Sequence, residues 1–562
     1  MLKRVAVATF VVLLCSTSPQ AQVPASDAAA SRPTAADDGP PVRLVLLVAV
    51  DQFRPDYLSR FGPPSAGLQT LLTQGAVFTD AYLEHAVTVT AVGHSTMLTG
   101  ATPAVSGIIE NVWYERSTRS TVESITDRDV QIVGGTGSAG IGASPRRLLV
   151  PTLGDQIKLA SASAVGTPHA PRVVGISLKD RSAILPAGHA ADAAYFFRSG
   201  RFVTSSYYRA ALPQWVEEIN ARRIPEAYAG KRWAFEGGER PYPATPGAAL
   251  DTAVTASPAG NDLVVAMATA ALEHEQLGQR GVTDVLTVSF SSNDSVGHAY
   301  GPESPEVRDI TRQTDRQVQA LLDEVERRVG LGRTLVAFTT DHGVAPLPET
   351  AAGLRIPGGR FQTSTLSVAV ETALEEKFGA GPWVTRGALP SLYLDHDLVA
   401  SRGVEPAEVR RVAAAAAATV PHVARVYTRD AILSGSVSRD LISERVTRAY
   451  HRERSGDLHV ILDPHWTTAA VGTSHGTPYG YDAHIPLILM GPGIVPGTYR
   501  DRVALNDLAP TLAAVLGVEA PSGSQGRVLA EALQRAPVGA GPASTHTPTG
   551  SPGSATASKG TP

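Results

Sequence analysis

Four apolar runs, each long enough for one β-strand and each breaking off into polar residues, set the tightest limit on how this chain can fold. They are residues 42–50 (VRLVLLVAV), 172–178 (RVVGISL), 284–290 (DVLTVSF) and 334–340 (TLVAFTT). Strands that are apolar at nearly every position are buried on both faces, as in a parallel sheet covered by helices on either side. Helical patterns at 65–74, 262–275 and 304–329 alternate with these runs, the last with Pro302 and Pro305 near its start. The pattern predicts an α/β fold class: a doubly wound, mostly parallel sheet. The runs lead into Asp51, Lys179, Asn293-Asp294 and Asp341. Open sheets of this kind bind ligands just past the carboxyl ends of their strands.

The remaining sequence divides by composition. Residues 1–21 read as a signal peptide: Lys3 and Arg4, an apolar stretch from Val5 to Cys15 too short to span a bilayer, and a small residue at Ala21. Leu14, bulky before Cys15, argues against lipidation. Residues 22–40, rich in Ala, Ser, Pro and Asp, read as a disordered linker, and 536–562, rich in Gly, Pro, Ser and Thr, as a disordered tail. The core is expected over 41–349, with an excursion near 190–260 carrying Tyr195, Phe196, Phe197, Tyr207, Tyr208, Trp215 and Trp233. These aromatics are expected to pack rather than to roof a site. Residues 350–470, with an alanine-rich helix at 406–420 and short β runs at 391–394, 423–427 and 458–462, read as an α+β cap, and 471–535 as the return to the core. Cys15 is the single cysteine, which leaves an exported product no disulfide, thiolate ligand or cysteine nucleophile. With 49 basic and 53 acidic side chains there is no nucleic-acid footprint. The expected product is periplasmic or secreted, with no stable membrane insertion after cleavage.

The chemistry lies in acidic and histidine residues scattered over more than 400 positions: Asp51, Asp294, His298, Asp341, His342 and His475, with Thr90 as a seventh group. Asp294 and His298, four apart on a helical turn, lie on one side and can grip one cation. Asp341 and His342 can reach one metal if the chain turns beyond its strand. Residues 88–100 (TVTAVGHSTMLTG) suggest a turn and a short helix ending at Gly100, with Thr90 near its N-terminus, where free N–H groups favour an anion. Each has a plainer reading alone: a turn-capping Asp, a surface carboxylate, a helix-capping Thr. A threonine hydroxyl is a poor nucleophile near neutral pH, and a metal ion removes that difficulty by lowering its pKa.

In this order the residues resemble the alkaline phosphatase superfamily, and most closely its phosphate-irrepressible alkaline phosphatases, monoesterases with a threonine nucleophile. Segments 109–116 (IENVWYER), 177–185 (SLKDRSAIL), 474–486 (SHGTPYGYDAHIP) and 507–517 (DLAPTLAAVLG) match further parts of that family, and the resemblance spans about 44–529. It implies two zinc ions: one held by Asp294, His298 and His475, the other by Asp51, Asp341, His342 and the Thr90 oxygen. It also implies that Asn111, Lys179 and Arg181 hold the phosphoryl oxygens, and that phosphate monoesters are hydrolysed through a phosphothreonine intermediate. A cationic Lys179 and a planar Arg181 suit a dianionic monoester, and if the segment is extended they point to one side. The sequence departs from the family at Val92, where members often carry proline. Thr88 is the local competitor for nucleophile, and His94 and His484 are expected to be buried, hydrogen-bonded histidines rather than ligands.

The nearest alternative is a phosphodiesterase or nucleotide pyrophosphatase on the same metal site. Sulfatase lacks its C/S-x-P-x-R stretch here, and a phosphoglycerate mutase-like enzyme would usually have serine in place of Thr90. A non-catalytic binding module would have lost ligands, and none is missing. Small phosphorylated molecules are the expected partners, and by analogy the protein is expected to be a monomer.

Overall fold

A computed structural model describes residues 41–135, 141–164 and 166–534; the expected signal peptide, linker and tail lie outside the described residues. The main sheet contains β1 (Leu44–Val50), β2 (Ala76–Tyr82), β3 (Val173–Ser177), β4 (Ala193–Arg198), β5 (Arg201–Ser205), β6 (Asp284–Phe290), β7 (Thr334–Thr339) and β8 (His484–Met490). Strands β7, β1, β6, β3 and β4 are neighbours in that order and all parallel. Strand β8 is antiparallel to β7 and to β2, and β5 is antiparallel to β4. The four expected strands are the four at the centre.

Every residue of β1 is buried, and its side chains alternate between two apolar clusters. Leu44, Leu46, Val48 and Val50 face one side, with Leu263 and Met267. Val45, Leu47 and Ala49 face the other, with Met97, Leu508 and Leu512. Burial of each large aliphatic side chain contributes roughly 1.5–3 kcal/mol, which is why the central strands tolerate so little polarity.

Nine helices matter to the argument: α1 (Gly67–Gln74), α2 (Thr90–Thr99), α3 (Asp180–Ala187), α4 (Pro258–His274), α5 (Ser292–Tyr300), α6 (Pro305–Arg328), α7 (Thr363–Phe378), α8 (Pro406–Ala417) and α9 (Leu508–Leu516). Helix α2 stops at Gly100, left-handed at φ 66°, and α9 stops the same way at Gly517. Helix α6 starts from Ser304, whose side chain accepts the Val307 N–H, with Pro305 in the first turn.

Two regions differ from expectation. The excursion near 190–260 begins with β4 and β5, which belong to the main sheet, and Tyr195 and Phe196 are core residues there. The apolar run of β4 is buried on both faces, with Ala193 and Tyr195 in one cluster and Ala194 and Phe196 in another. In addition, a hairpin of Val112–Glu115 and Ser120–Glu123 follows Asn111. Beyond residue 350, an antiparallel sheet of Val384–Ala388, Ser391–Leu394, Leu458–Leu462 and Val423–Thr428 packs with α7 and α8 around a separate apolar cluster. The hairpin is tied to this sheet by Arg116, which donates to Asp457 Oδ2 at 3.0 Å and to the Ser455 carbonyl at 2.8 Å.

Helix α2 lies against the segment after β7 closely enough that Gly93 has no room for a side chain: a Cβ there would collide with the backbone of Asp341. Gly93→Ala is therefore expected to destabilise the protein by roughly 1–3 kcal/mol. Urea unfolding would read this, with Gly332→Ala, which meets nothing within 4 Å, as the matched control. Equal midpoints for the two variants would refute the close approach.

Candidate active site

Sheet register assembles the site. Ala49, Ser289, Ser177 and Thr339 are level with one another across β1, β6, β3 and β7. Two residues further along each chain stand Asp51, Ser291, Lys179 and Asp341, so four remote stretches deliver their polar residues to one row. Helix α5 starts just past β6 and carries Asp294 and His298 on one side, while α2 starts at Thr90, 1% exposed. The loop before β8 brings His475 across.

Lys179 Nζ lies 2.6 Å from both Asp51 Oδ2 and Asp294 Oδ2. Asp294 Oδ1 is 3.1 Å from His298 Nε2 and 3.5 Å from His475 Nε2. Both rings have a fixed tautomer, because Nδ1 of His298 meets the Thr473 carbonyl at 2.7 Å and Nδ1 of His475 meets the Thr88 carbonyl at 2.8 Å. A carbonyl only accepts, so each Nδ1 carries the hydrogen. Burial lowers the pKa of His475 and leaves a lone pair at its Nε2. At His298 the effect of burial is outweighed by Asp294, which raises the pKa, so a cation there would take the place of the Nε2 proton. Those two Nε2 atoms are 3.2 Å apart. His342 is fixed in the same way on the Gly343 carbonyl at 3.0 Å, and its buried Nε2 has no hydrogen-bond partner. That atom is 3.5 Å from Asp51 Oδ1 and 3.4 Å from Asp341 Oδ2, two carboxylate oxygens that also lack hydrogen bonds.

Imidazole nitrogens converging on buried carboxylate oxygens, with Asp51 Oδ1 and His342 Nε2 lacking any hydrogen-bond partner, are what a cation requires. Burial pushes the His342 pKa down to about 3, so its ring is neutral and able to ligate near neutrality. Burial works against charge on Asp294 and Asp341, yet Lys179 and His298 hold Asp294, and His342 and His94 hold Asp341, well below the usual carboxylate range. Two donor groups result, Asp294–His298–His475 and Asp51–Asp294–His342, with Asp294 common to both. They fit divalent metal in ligand type and spacing.

The other expected residues are also placed. Asn111 Oδ1 accepts the Ala91 N–H at 2.8 Å, which fixes its amide beside the residue following Thr90. Lys179 and Arg181 do not lie on an extended segment: Lys179 is the extended N-cap of α3 and Arg181 is in its first turn. Asp180 is bonded to the Arg181 backbone N–H at 2.8 Å and to Arg198 at 3.3 Å, and Arg181 Nε is buried with no hydrogen-bond partner. Lys179 meets carboxylates here rather than an open anion pocket.

Thr88 is committed elsewhere, donating to the Thr477 carbonyl at 2.9 Å and accepting the Gly476 N–H at 3.2 Å. His94 is fully buried between the Thr90 carbonyl at 2.9 Å and Ser289 Oγ at 2.8 Å. His484 is half-buried, bonded to the Thr79 carbonyl at 3.1 Å and stacked on Tyr82. Val92 sits fully buried within the first turn of α2, which forms without the proline.

Sequence reading missed Gln52. Its backbone is left-handed at φ 62°, a conformation costly for a residue with a side chain. In that conformation its N–H reaches Asp341 Oδ1 at 3.2 Å and its side-chain Nε2 reaches Asp294 Oδ1 at 2.7 Å. One residue thus braces a carboxylate at each end of the site. Its adjacency to Asp51 was the only signal available in the sequence.

Comparison with known proteins places the chain in a family. The family model described as Type I phosphodiesterase / nucleotide pyrophosphatase matches residues 45–480. Alkaline phosphatase PafA of Elizabethkingia meningoseptica is 33% identical over 528 residues, covering 88% of this chain and 95% of that protein. Alkaline phosphatase PhoV of Synechococcus elongatus is 30% identical over 536 residues, covering 88% and 93%. The crystal structure of wild type PafA is similar with a TM-score of 0.81 at 32% identity, covering 88% of this chain and 99% of that one. A match over most of the chain, with the fold and the polar row to go with it, means that this protein belongs to the Type I phosphodiesterase / nucleotide pyrophosphatase family of the alkaline phosphatase superfamily.

Proposed function

We propose that this chain is an exported, two-zinc phosphomonoesterase with Thr90 as nucleophile. The observation that carries the reading is the pair of imidazole Nε2 atoms 3.2 Å apart beside Asp294, with His475 bonded to the Thr88 carbonyl two residues before the buried Thr90. Two zinc ions, one on Asp294, His298 and His475 and one on Asp51, Asp341, His342 and Thr90, would lower the pKa of a hydroxyl or water and neutralise the entering and leaving oxygens.

The chain's own residues do the rest. Thr90 Oγ forms a bond to phosphorus as the ester P–O bond breaks, and the alcohol leaves with a proton. Water then cleaves the phosphothreonine, restoring the hydroxyl and releasing inorganic phosphate. Asn111, Lys179 and Arg181 hold the non-bridging oxygens, Arg181 through a planar donor set that matches phosphate. On this reading Lys179 compensates Asp51 and Asp294 until metal charge takes that role, and then turns to the substrate. The signal-like leader at 1–21 supports export to the periplasm or medium, and among the described residues no helix is long and apolar enough to cross a membrane.

The second reading, a diesterase, is favoured by the family description itself. The monoesterase reading is preferred because the full-length relatives quoted above are named alkaline phosphatases and because a Lys and an Arg suit a dianion. Aryl phosphate monoesters are expected to be cleaved faster than the matching diesters, and the reverse order in a rate comparison would overturn the assignment.

Thr90→Ala is expected to lower kcat at least 1000-fold, on the order seen when a catalytic nucleophile is removed, while elemental analysis still finds most of the metal. Turnover near wild type would remove Thr90 from its role. Gln52→Ala, which deletes a brace on Asp294, is expected to weaken metal binding about 10- to 100-fold in chelator competition. An unchanged metal affinity would reduce Gln52 to a packing residue.

A further inference from the structure

A cleft of about 100 Å³ opens between the core and the cap. Its core wall includes Val89, Glu110 and His475, which are respectively the residue before the nucleophile, the residue before Asn111, and a ligand of the metal assigned to the leaving oxygen. The cap supplies Leu389, Leu462 and Trp466 as the opposite wall. His422 stacks on Trp466 with ring centroids 3.4 Å apart and planes at 12°, which steadies the indole. The cleft therefore touches three separate segments of the proposed catalytic machinery, and through His475 it adjoins the metal position assigned above to the departing oxygen.

We propose that this cleft receives the departing alcohol and selects compact, uncharged alcohols of about one ring over anionic leaving groups such as a second phosphoryl group. The inference rests on the monoesterase reading above and deepens it. Size supports it: at about 100 Å³ the cleft is smaller than the roughly 150 Å³ apolar cavity that encloses a benzene ring, so it takes a short chain or the leading edge of one ring, and not a base with its sugar. Charge supports it independently. Among the described residues that line the cleft there is no lysine or arginine, while Glu110 supplies a carboxyl group. That carboxyl accepts the Asn111 N–H at 3.0 Å. Burial pushes its pKa up to about 7, so under alkaline conditions it is a carboxylate facing whatever leaves. An anionic leaving group would meet a like charge there, and Arg386, the cation that acts on Glu110, is not among the residues lining the cleft.

The test uses the full-length metal-loaded protein and compares kcat/KM for methyl phosphate, benzyl phosphate and inorganic pyrophosphate. The two alkyl esters have similar intrinsic reactivity, so their ratio reports contact with the ring. Wild type is expected to favour benzyl over methyl by about tenfold, the scale of discrimination an apolar pocket supplies. Trp466→Ala is expected to remove most of that ratio. Leu389→Lys, which places a cation in the cap wall, is expected to raise pyrophosphate relative to methyl phosphate by about tenfold. Equal use of methyl and benzyl phosphate by wild type would overturn the proposal without reference to any variant, as would a ratio that Trp466→Ala leaves unchanged. Loss of both esters and of pyrophosphate alike in wild type would instead strike at the phosphatase reading, and this proposal would go with it.

Discussion

Charge compensation in a buried row is the constraint on which the rest of the structure depends. Parallel register puts Asp51, Lys179 and Asp341 on one level, and α5 adds Asp294, so three carboxylates share a nearly dry space with one ammonium group. At an effective dielectric near 20, like charges about 4 Å apart repel by about 4 kcal/mol. Lys179 offsets part of this by sitting 2.6 Å from two of the carboxylates at once. The strain is visible in opposite directions: burial and the neighbouring Asp341 raise the Asp51 pKa, while Asp294 is held low. Negative charge concentrated in this way calls for positive charge beside it, which Lys179 supplies in part, and the imidazoles around it are of the ligand type that completes metal sites.

Precision at the row is imported from outside it. Asn111 stands at the base of a hairpin whose Arg116 reaches into the cap, where Asp457 is fully buried and also accepts from His396 at 2.9 Å, the Leu394 N–H at 3.0 Å and Arg410 at 3.4 Å. Burial opposes its charge, but these donors hold its carboxyl at about 2. Removing one partner from a buried, shared carboxylate costs several kcal/mol because the others are left uncompensated. The cap is thus an anchor for the segment bearing Asn111 as well as a wall of the cleft, which explains why it need not contribute a ligand to be necessary for the site.

The fold was legible in the chain to the extent that burial dictates composition. Strands β1, β3, β6 and β7 are covered on both faces, so their sequences had to be apolar and stood out, with only their ends uncertain by a residue or two. Asp294 and His298 were readable as a pair because helical spacing is local. Strands β4 and β5 were harder, because aromatic residues signal burial without saying which sheet they join. Lys179 and Arg181 were placed in the right region with the wrong backbone: two residues flanking a strand end look the same whether the chain continues extended or turns into a helix. Gln52 was legible only as a neighbour of Asp51. Its role arises from a left-handed backbone and from carboxylates 242 and 289 residues away, and nothing within its own neighbourhood encodes those partners.

Asp294 links the events that the separate ligand sets would otherwise leave independent. Its Oδ1 faces His298, His475 and Gln52, and its Oδ2 faces Lys179. A cation drawn in on the imidazole side withdraws charge from the carboxylate and weakens its hold on the ammonium group. A cation beside Asp51 and His342 does the same at the other oxygen that Lys179 touches. Filling either position would therefore make it easier for Lys179 to leave both carboxylates, which the proposed role for Lys179 on a phosphoryl oxygen requires. On that proposal, the contact that stabilises the row without metal would make substrate binding conditional on metal, through competition for one side chain rather than through any movement of the sheet.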